Sequence, residues 1–213
     1  MVSPAIRKEL HYFDLFHDNG RDWYHQHFPF SKGTVSGECT PFYLMHPQAP
    51  ERAWQYNKKL KLIAILRNPI ERAWSHYLMN VQAGREKLDF ERALDEEQER
   101  LNSTVKLEDP NGPLLHYSYQ FRGRYAEQLD RWMSFFPQSQ LLVINYHSFF
   151  ENPWQEIQKV YRFLGVAPLY DTPRYHENAG GLNESMPVIA AKRLNDYFRQ
   201  PNEELSDKYG IRF

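Results

Sequence analysis

One cysteine, Cys39, stands among 213 residues, so no internal disulfide can form. That usage fits a reducing, cytoplasmic compartment. No apolar run approaches the ~20 residues of a membrane span, and residues 1–10 lack the apolar core of a signal peptide. Neither sign of charge predominates: 26 basic and 27 acidic side chains leave a formal net charge of -1. A general nucleic-acid binder is usually clearly basic, so that class is disfavoured, whereas one basic pocket for a small anion is not. No G-x-x-x-x-G-K-[S/T] run occurs, which argues against a P-loop kinase relative. The chain has nine histidines, but spacings such as His25 and His27 match no metal motif. A metal hydrolase is therefore disfavoured and no metal is expected.

What is present is a core-former's composition. Hydrophobic residues make up 41% and aromatics 15%, enough for a globular fold with large buried rings. The length suits one domain or at most two small ones. Repeats and low-complexity tracts are lacking and nothing marks a boundary, so residues 1–213 are expected to form a single domain.

The order of elements is informative. Residues 61–66 (KLIAIL) are apolar and β-branched, and predict a buried strand of a parallel sheet. Arg67-Asn68-Pro69 stops that strand. A helix follows from about Ile70, with Pro69 in its first turn, where the missing N–H costs little. Further helices are predicted from Phe90 to about Leu101, from Tyr125 to Phe136, and from Asn152-Pro153 to Gly165. Residues 141–144 (LLVI) predict a second buried strand. Residues 171–187 read as a long loop, and Ala190–Phe198 and Glu203–Tyr209 as two closing helices. Alternation of strand and helix implies an α/β fold with a parallel sheet, whose ligands bind beyond the carboxyl ends of the strands.

Two segments carry chemistry. In Leu66-Arg67-Asn68-Pro69-Ile70-Glu71-Arg72-Ala73-Trp74-Ser75-His76-Tyr77, an Arg at a strand end precedes a helix. The guanidinium's forked donors, the helix N-terminus and the Ser75 hydroxyl can together hold an anion. The competing reading is an Arg paired with a carboxylate to close the sheet. In Lys8-Glu9-Leu10-His11-Tyr12-Phe13-Asp14, an ionised carboxylate could take a proton from a hydroxyl within hydrogen-bond reach. The competing reading is a charged turn leading into a strand.

The run LIAILRNPIERAWSHY closely resembles the 3′-phosphate-binding motif of PAPS-dependent sulfotransferases. The resemblance assigns Arg67 and Ser75 to the ribose 3′-phosphate of the donor. Residues 8–14 resemble the Lys-Glu-x-His-Phe-Phe-Asp signature of heparan-type and related bacterial sulfotransferases, departing at Tyr12. This implies Glu9 as general base, Lys8 and His11 lining the acceptor site or positioning the sulfuryl oxygens, and Asp14 supporting them. Gly37-Glu38-Cys39-Thr40-Pro41-Phe42-Tyr43 resembles the stretch beside the acceptor pocket, which nominates Glu38, Thr40 and Tyr43 for substrate binding. Several heparan-type enzymes carry Lys where this chain has Cys39, which weakens the case for a sulfated-polysaccharide acceptor. Cys39 itself is expected to be a small buried hydrophobe. Residues 46–52 fit the bacterial branch of the family.

The resemblance extends to Arg122-Gly123-Arg124-Tyr125 and the helix through Trp132, and to the C-terminal run Leu194–Leu205. Tyr125 and Trp132 are expected in the core, Arg122 and Arg124 at a solvated helix start, and Gly123 where backbone approaches the donor. The loop that folds over the nucleotide in the family corresponds to about His176 to Pro187. The resemblance implies a three-layer, P-loop-NTPase-like fold with a central parallel sheet. The implied activity is transfer from PAPS, without a metal, to a hydroxyl or amine of a carbohydrate or small molecule. The family's Gly/Lys/Ser/Thr-rich loop, which grips the donor's phosphosulfate, has no counterpart before Lys8. The domain is therefore expected to be partial at its N-terminus, with weak or no turnover and reduced stability. The alternative is a non-catalytic relative that binds PAPS or PAP.

Overall fold

The computed structural model describes residues 2–29, 33–168 and 184–213. Its elements are, in order, β1 (Val2–Pro4), α1 (Gly20–His25), β2 (Val35–Gly37), α2 (Ala49–Tyr56), β3 (Leu62–Leu66), α3 (Pro69–Gln82) and α4 (Phe90–Asn102). They continue as α5 (Pro113–His116), α6 (Tyr125–Met133), β4 (Leu141–Asn145), α7 (Tyr146–Glu151), α8 (Pro153–Leu164) and α9 (Val188–Tyr209). Among the described residues there are two sheets of two strands each, β1 with β2 and β3 with β4. The β1–β2 pair is parallel and places Val2 opposite Val35. The result is an α/β fold with a small sheet at β3 and β4 and helices around it.

Two compact units emerge. One contains residues 1–64 and 129–172, the other 65–128 and 173–213, so β3 and α6 each run from one unit into the other. The core of the first unit gathers Leu10, Tyr12, Phe13, Tyr24, Ala49, Ala53, Trp132 and Phe136. It is built largely of rings: Tyr12 and Tyr24 stack at 4.3 Å between centroids, and Trp132 donates from Nε1 to the Leu44 carbonyl at 3.3 Å. The core of the second unit joins Ala73 of α3, Phe90, Ala93 and Leu94 of α4, Tyr119, and Ala190, Leu194 and Phe198 of α9.

The start of α3 is fixed by local chemistry. The Asn68 side chain accepts the Ile70 N–H at 2.9 Å, and Pro69 occupies the first turn. Gly123 is buried against this start. A Cβ there would lie 2.6 Å from two ring carbons of Phe198 and 2.8 Å from Pro69 Cβ. The absence of a Cβ at Gly123 thus permits a close approach between protein elements. Tyr125 is buried in the second unit's interior and Trp132 in the first's. Gly165 closes α8 in the left-handed conformation, φ 72°.

Four expectations are corrected. The two closing helices are one, α9, which runs through Pro201. Ala190, Leu194, Phe198 and Leu205 form a buried stripe on both sides of the proline, and this burial outweighs the one backbone hydrogen bond that Pro201 cannot donate to Tyr197. The β3 strand is not buried on both faces: Ile63 and Ile65 are 39% and 53% exposed, and only Leu66 is fully buried. Its apolar run reads as central-strand sequence, but β4 is its one neighbour among the described residues. Cys39, thirdly, is exposed rather than buried. The helix expected to reach Phe136 ends at Met133, although Phe136 N–H still bonds back to the Trp132 carbonyl at 3.0 Å. Of the long loop at 171–187, residues up to 183 lie outside the described residues, as does most of the nucleotide-covering stretch at 176–187.

Candidate functional site

In the first unit the segment from Lys8 to Asp14 makes a tight, irregular turn. Glu9 and His11 both lie in the left-handed region, with φ of 51° and 53°. For residues with a Cβ that conformation costs on the order of 1–3 kcal/mol each, so surrounding contacts must hold it. They are present. Leu15 and Phe16 N–H groups donate to the His11 carbonyl at 3.1 and 2.8 Å. Arg52 Nη1 donates to the carbonyls of Phe13 and Asp14 at 3.3 and 2.8 Å.

This turn places His11 between two carboxylates. Its Nδ1 lies 3.0 Å from Asp14 Oδ2, and its Nε2 lies 3.6 Å from Glu9 Oε2. Asp14 is fully buried and also accepts the Leu15 N–H at 2.6 Å. The Glu9 side chain is 54% exposed. Burial by itself pulls the His11 pKa down, but the hydrogen bonds and charges of Asp14 and Glu9 outweigh it and push it up to about 9. At neutral pH His11 is therefore an imidazolium. It pairs a buried carboxylate on one side with an accessible one on the other. Lys8 is exposed, and its charge acts on the Cys39 thiol. That thiol is nonetheless raised, first by desolvation and then by the charges of Glu38 and Glu9, which disfavours a reactive thiolate.

The Glu38, Thr40 and Tyr43 side chains meet one another. Glu38 accepts from Tyr43 Oη at 2.5 Å, from Thr40 Oγ1 at 2.7 Å and from Tyr24 Oη at 3.3 Å. Thr40 Oγ1 accepts the His11 N–H at 3.3 Å, and Tyr43 Oη accepts the Tyr12 N–H at 2.7 Å. These residues thus stand directly behind the Glu9–His11 turn.

In the second unit, Arg67 follows β3 and pairs from Nε with Glu71 Oε2 at 3.1 Å, both side chains being about two-fifths exposed at 37% and 41%. Its carbonyl accepts from Tyr125 Oη at 2.9 Å. Glu71 and Ser75 are one helical turn apart and share a face of α3. Ser75 is exposed, whereas Pro69, Ala73, His76 and Asn80 are buried on other faces. Arg67, Glu71 and Ser75 therefore present donors and one acid along an accessible stripe beginning at the helix N-terminus. Beneath it, burial first, and then the positive charges of Arg122, Arg72, His116 and Arg85, hold His76 neutral. Arg122 donates to the Leu115 carbonyl at 2.8 Å and Arg124 pairs with Glu127.

Sequence reasoning found every member of the two clusters except Tyr24, Arg52, Glu71 and Tyr125 as a partner. Glu71 had a signal, its position four residues after Arg67. Tyr24 and Arg52 had none, because their roles arise from contacts far along the chain. Among the described residues no group of three or more His, Cys, Asp or Glu could hold a metal ion, and no helix is long and apolar enough to cross a membrane.

The chain is 29% identical over 191 residues to human heparan sulfate glucosamine 3-O-sulfotransferase 5, covering 84% of this chain and 51% of that protein. It is 30% identical over 177 residues to mouse heparan sulfate glucosamine 3-O-sulfotransferase 6, covering 82% and 48%. The chain thus spans about half the length of the curated relatives it matches. Its fold matches the crystal structure of a sulfotransferase from Alicyclobacillus acidocaldarius, with a TM-score of 0.80, 24% identity, and coverage of 100% of this chain and 87% of that one. The family described as the sulfotransferase domain matches residues 43–177, more than half of the chain, and the chain belongs to that family.

Proposed function

We infer that this chain carries out sulfuryl transfer from PAPS to a hydroxyl or amine of a carbohydrate or small molecule. The observation that carries this reading is the stripe Arg67–Glu71–Ser75 at the end of β3 and the start of α3. A ribose 3′-phosphate supplies the dianion that such a stripe suits, with Arg67 as forked donor and Ser75 as hydroxyl donor. Glu71 already occupies Arg67 through Nε, so the phosphate would share or replace that carboxylate.

Glu9 is the general base. It is accessible, and the His11 imidazolium beside it is anchored to buried Asp14. In the in-line reaction the acceptor oxygen forms a bond to sulfur as the bond from sulfur to the donor's phosphate oxygen breaks. The acceptor proton passes to Glu9, and the electron pair leaves on the phosphate, giving PAP. Lys8 and the His11 imidazolium supply positive charge for the sulfuryl oxygens. Glu38, Thr40 and Tyr43 belong to the stretch that resembles the one beside the family's acceptor pocket, and Thr40 and Tyr43 bond to the backbone of the same turn. The reaction takes no metal.

Within the family the motif at residues 8–14, together with residues 46–52, supports the bacterial branch related to the heparan-type enzymes and a P-loop-NTPase-like, three-layer fold read as one domain. The single cysteine supports a reducing, cytoplasmic setting.

The test is calorimetric titration with PAP against AMP, repeated with Arg67→Ala, followed by transfer assays with Glu9→Gln. Tighter binding of PAP that Arg67→Ala removes supports the 3′-phosphate site. Transfer that falls by about 10²–10⁴ in Glu9→Gln, with PAP binding kept, supports the base. PAP bound no better than AMP would sink the reading. Selective PAP binding without any Glu9-dependent transfer would leave a nucleotide-binding relative without turnover.

A further inference from the structure

We propose that Glu38 is a positioning residue, the anchor of a hydroxyl relay that holds the backbone of the Glu9–His11 turn rather than a ligand of the acceptor. This rests on the reading of Glu9 as base. Each hydroxyl in the relay has a fixed polarity. Thr40 Oγ1 donates to Glu38 at 2.7 Å and so can accept the His11 N–H at 3.3 Å. Tyr43 Oη donates to Glu38 at 2.5 Å and so can accept the Tyr12 N–H at 2.7 Å. A carboxylate, which only accepts, is the one side chain of this size that sets both hydroxyls to donate away from the turn.

The two amides held in this way belong to successive residues of a strained segment. His11 has a φ of 53° and Glu9 a φ of 51°, so without external hold the turn relaxes toward ordinary backbone. The tyrosines remain donors under all ordinary conditions: the Tyr43 and Tyr24 hydroxyls are raised, first by burial and then by the charge of Glu38. Thr40 is buried, which removes it from direct contact with a large acceptor. The relay thus acts on Glu9 through His11: it fixes where the imidazolium sits between Asp14 and Glu9.

The readout is the titration of the His11 ring, followed by NMR on the intact chain in the absence of any ligand and assigned with His11→Gln. The expected midpoint of the unaltered protein is about 9. Thr40→Val and Tyr43→Phe each remove one relay hydroxyl at nearly constant volume, and Glu38→Gln introduces N–H donors where acceptors are needed. In each the midpoint should fall by more than about one pH unit as the ring leaves its two carboxylates. Thr40→Ser, which keeps the hydroxyl, should restore it. A folded Thr40→Val and a folded Tyr43→Phe with lowered melting temperatures but an unchanged His11 midpoint would overturn the proposal, because that is what a merely structural role gives. If Glu38→Gln does not fold, the two hydroxyl variants decide the matter. The sulfotransferase reading fails separately, by equal binding of PAP and AMP in the unaltered chain, which leaves the His11 midpoint untouched.

Discussion

Tyr125 Oη donates a 2.9 Å hydrogen bond to the main-chain carbonyl of Arg67, across 58 positions of sequence. The tyrosine is buried, so its ring and hydroxyl fix the backbone at the point where β3 gives way to α3. Tyr125→Phe keeps the ring and removes that bond. It should lower stability by about 1 kcal/mol and weaken PAP binding by less than Arg67→Ala does. Thermal unfolding together with calorimetry checks both, and unchanged PAP affinity would show that the carbonyl contact does not orient the guanidinium.

In the proposed 3′-phosphate site, Glu71 is the acid paired with Arg67. Glu71→Gln removes its charge while preserving length. Because the pair is partly exposed, its worth is small, and PAP affinity should rise by only roughly two- to fivefold. The gain should shrink with added salt. A loss of affinity instead would mean that Glu71 orients Arg67 for the phosphate.

Gly123 has no room for a methyl group. Gly123→Ala would press on Phe198 and Pro69, whose atoms stand at 2.6 and 2.8 Å from the new Cβ. Overpacking of this kind should cost about 1–3 kcal/mol, read by denaturant unfolding. PAP binding should suffer with it, since Pro69 begins the helix that follows Arg67.

Two histidines give opposite pH dependence. The folded His11 pKa is about 9 against 6.5 for an ordinary histidine, so the folded state holds the proton more tightly. Its contribution is full below about pH 6.5 and is lost as pH rises through about 9. His76 is held well below its ordinary value by burial and by neighbouring cations. The unfolded chain then binds the proton more tightly, so stability falls as pH drops below about 6.5. Unfolding measured from about pH 5 to about pH 10 should therefore show losses at both ends. His11→Gln should flatten the alkaline loss, and His76→Gln the acid one.

The sequence by itself determined the local elements and the chemical identity of both clusters. Asn68-Pro69 marks the start of α3 because a capping side chain and a fixed φ act within two residues. Gly165 marks the end of α8 for an equally local reason. Arg67, Ser75, Glu9 and His11 stand out as candidates in the sequence because they lie in short motifs with residue types in fixed order. Tertiary structure decided what no local signal encodes. It joined two expected helices into α9, because the stripe Ala190, Leu194, Phe198 and Leu205 is buried on both sides of Pro201. It left Ile63 and Ile65 exposed, because burial of a strand depends on its neighbours and not on its own apolar run. It turned Glu38, Thr40 and Tyr43 toward the backbone of His11 and Tyr12, and placed Asp14 out of water beside His11. The charge of that imidazole is set by desolvation and by two carboxylates together, and both are properties of the packed molecule rather than of the residues in sequence.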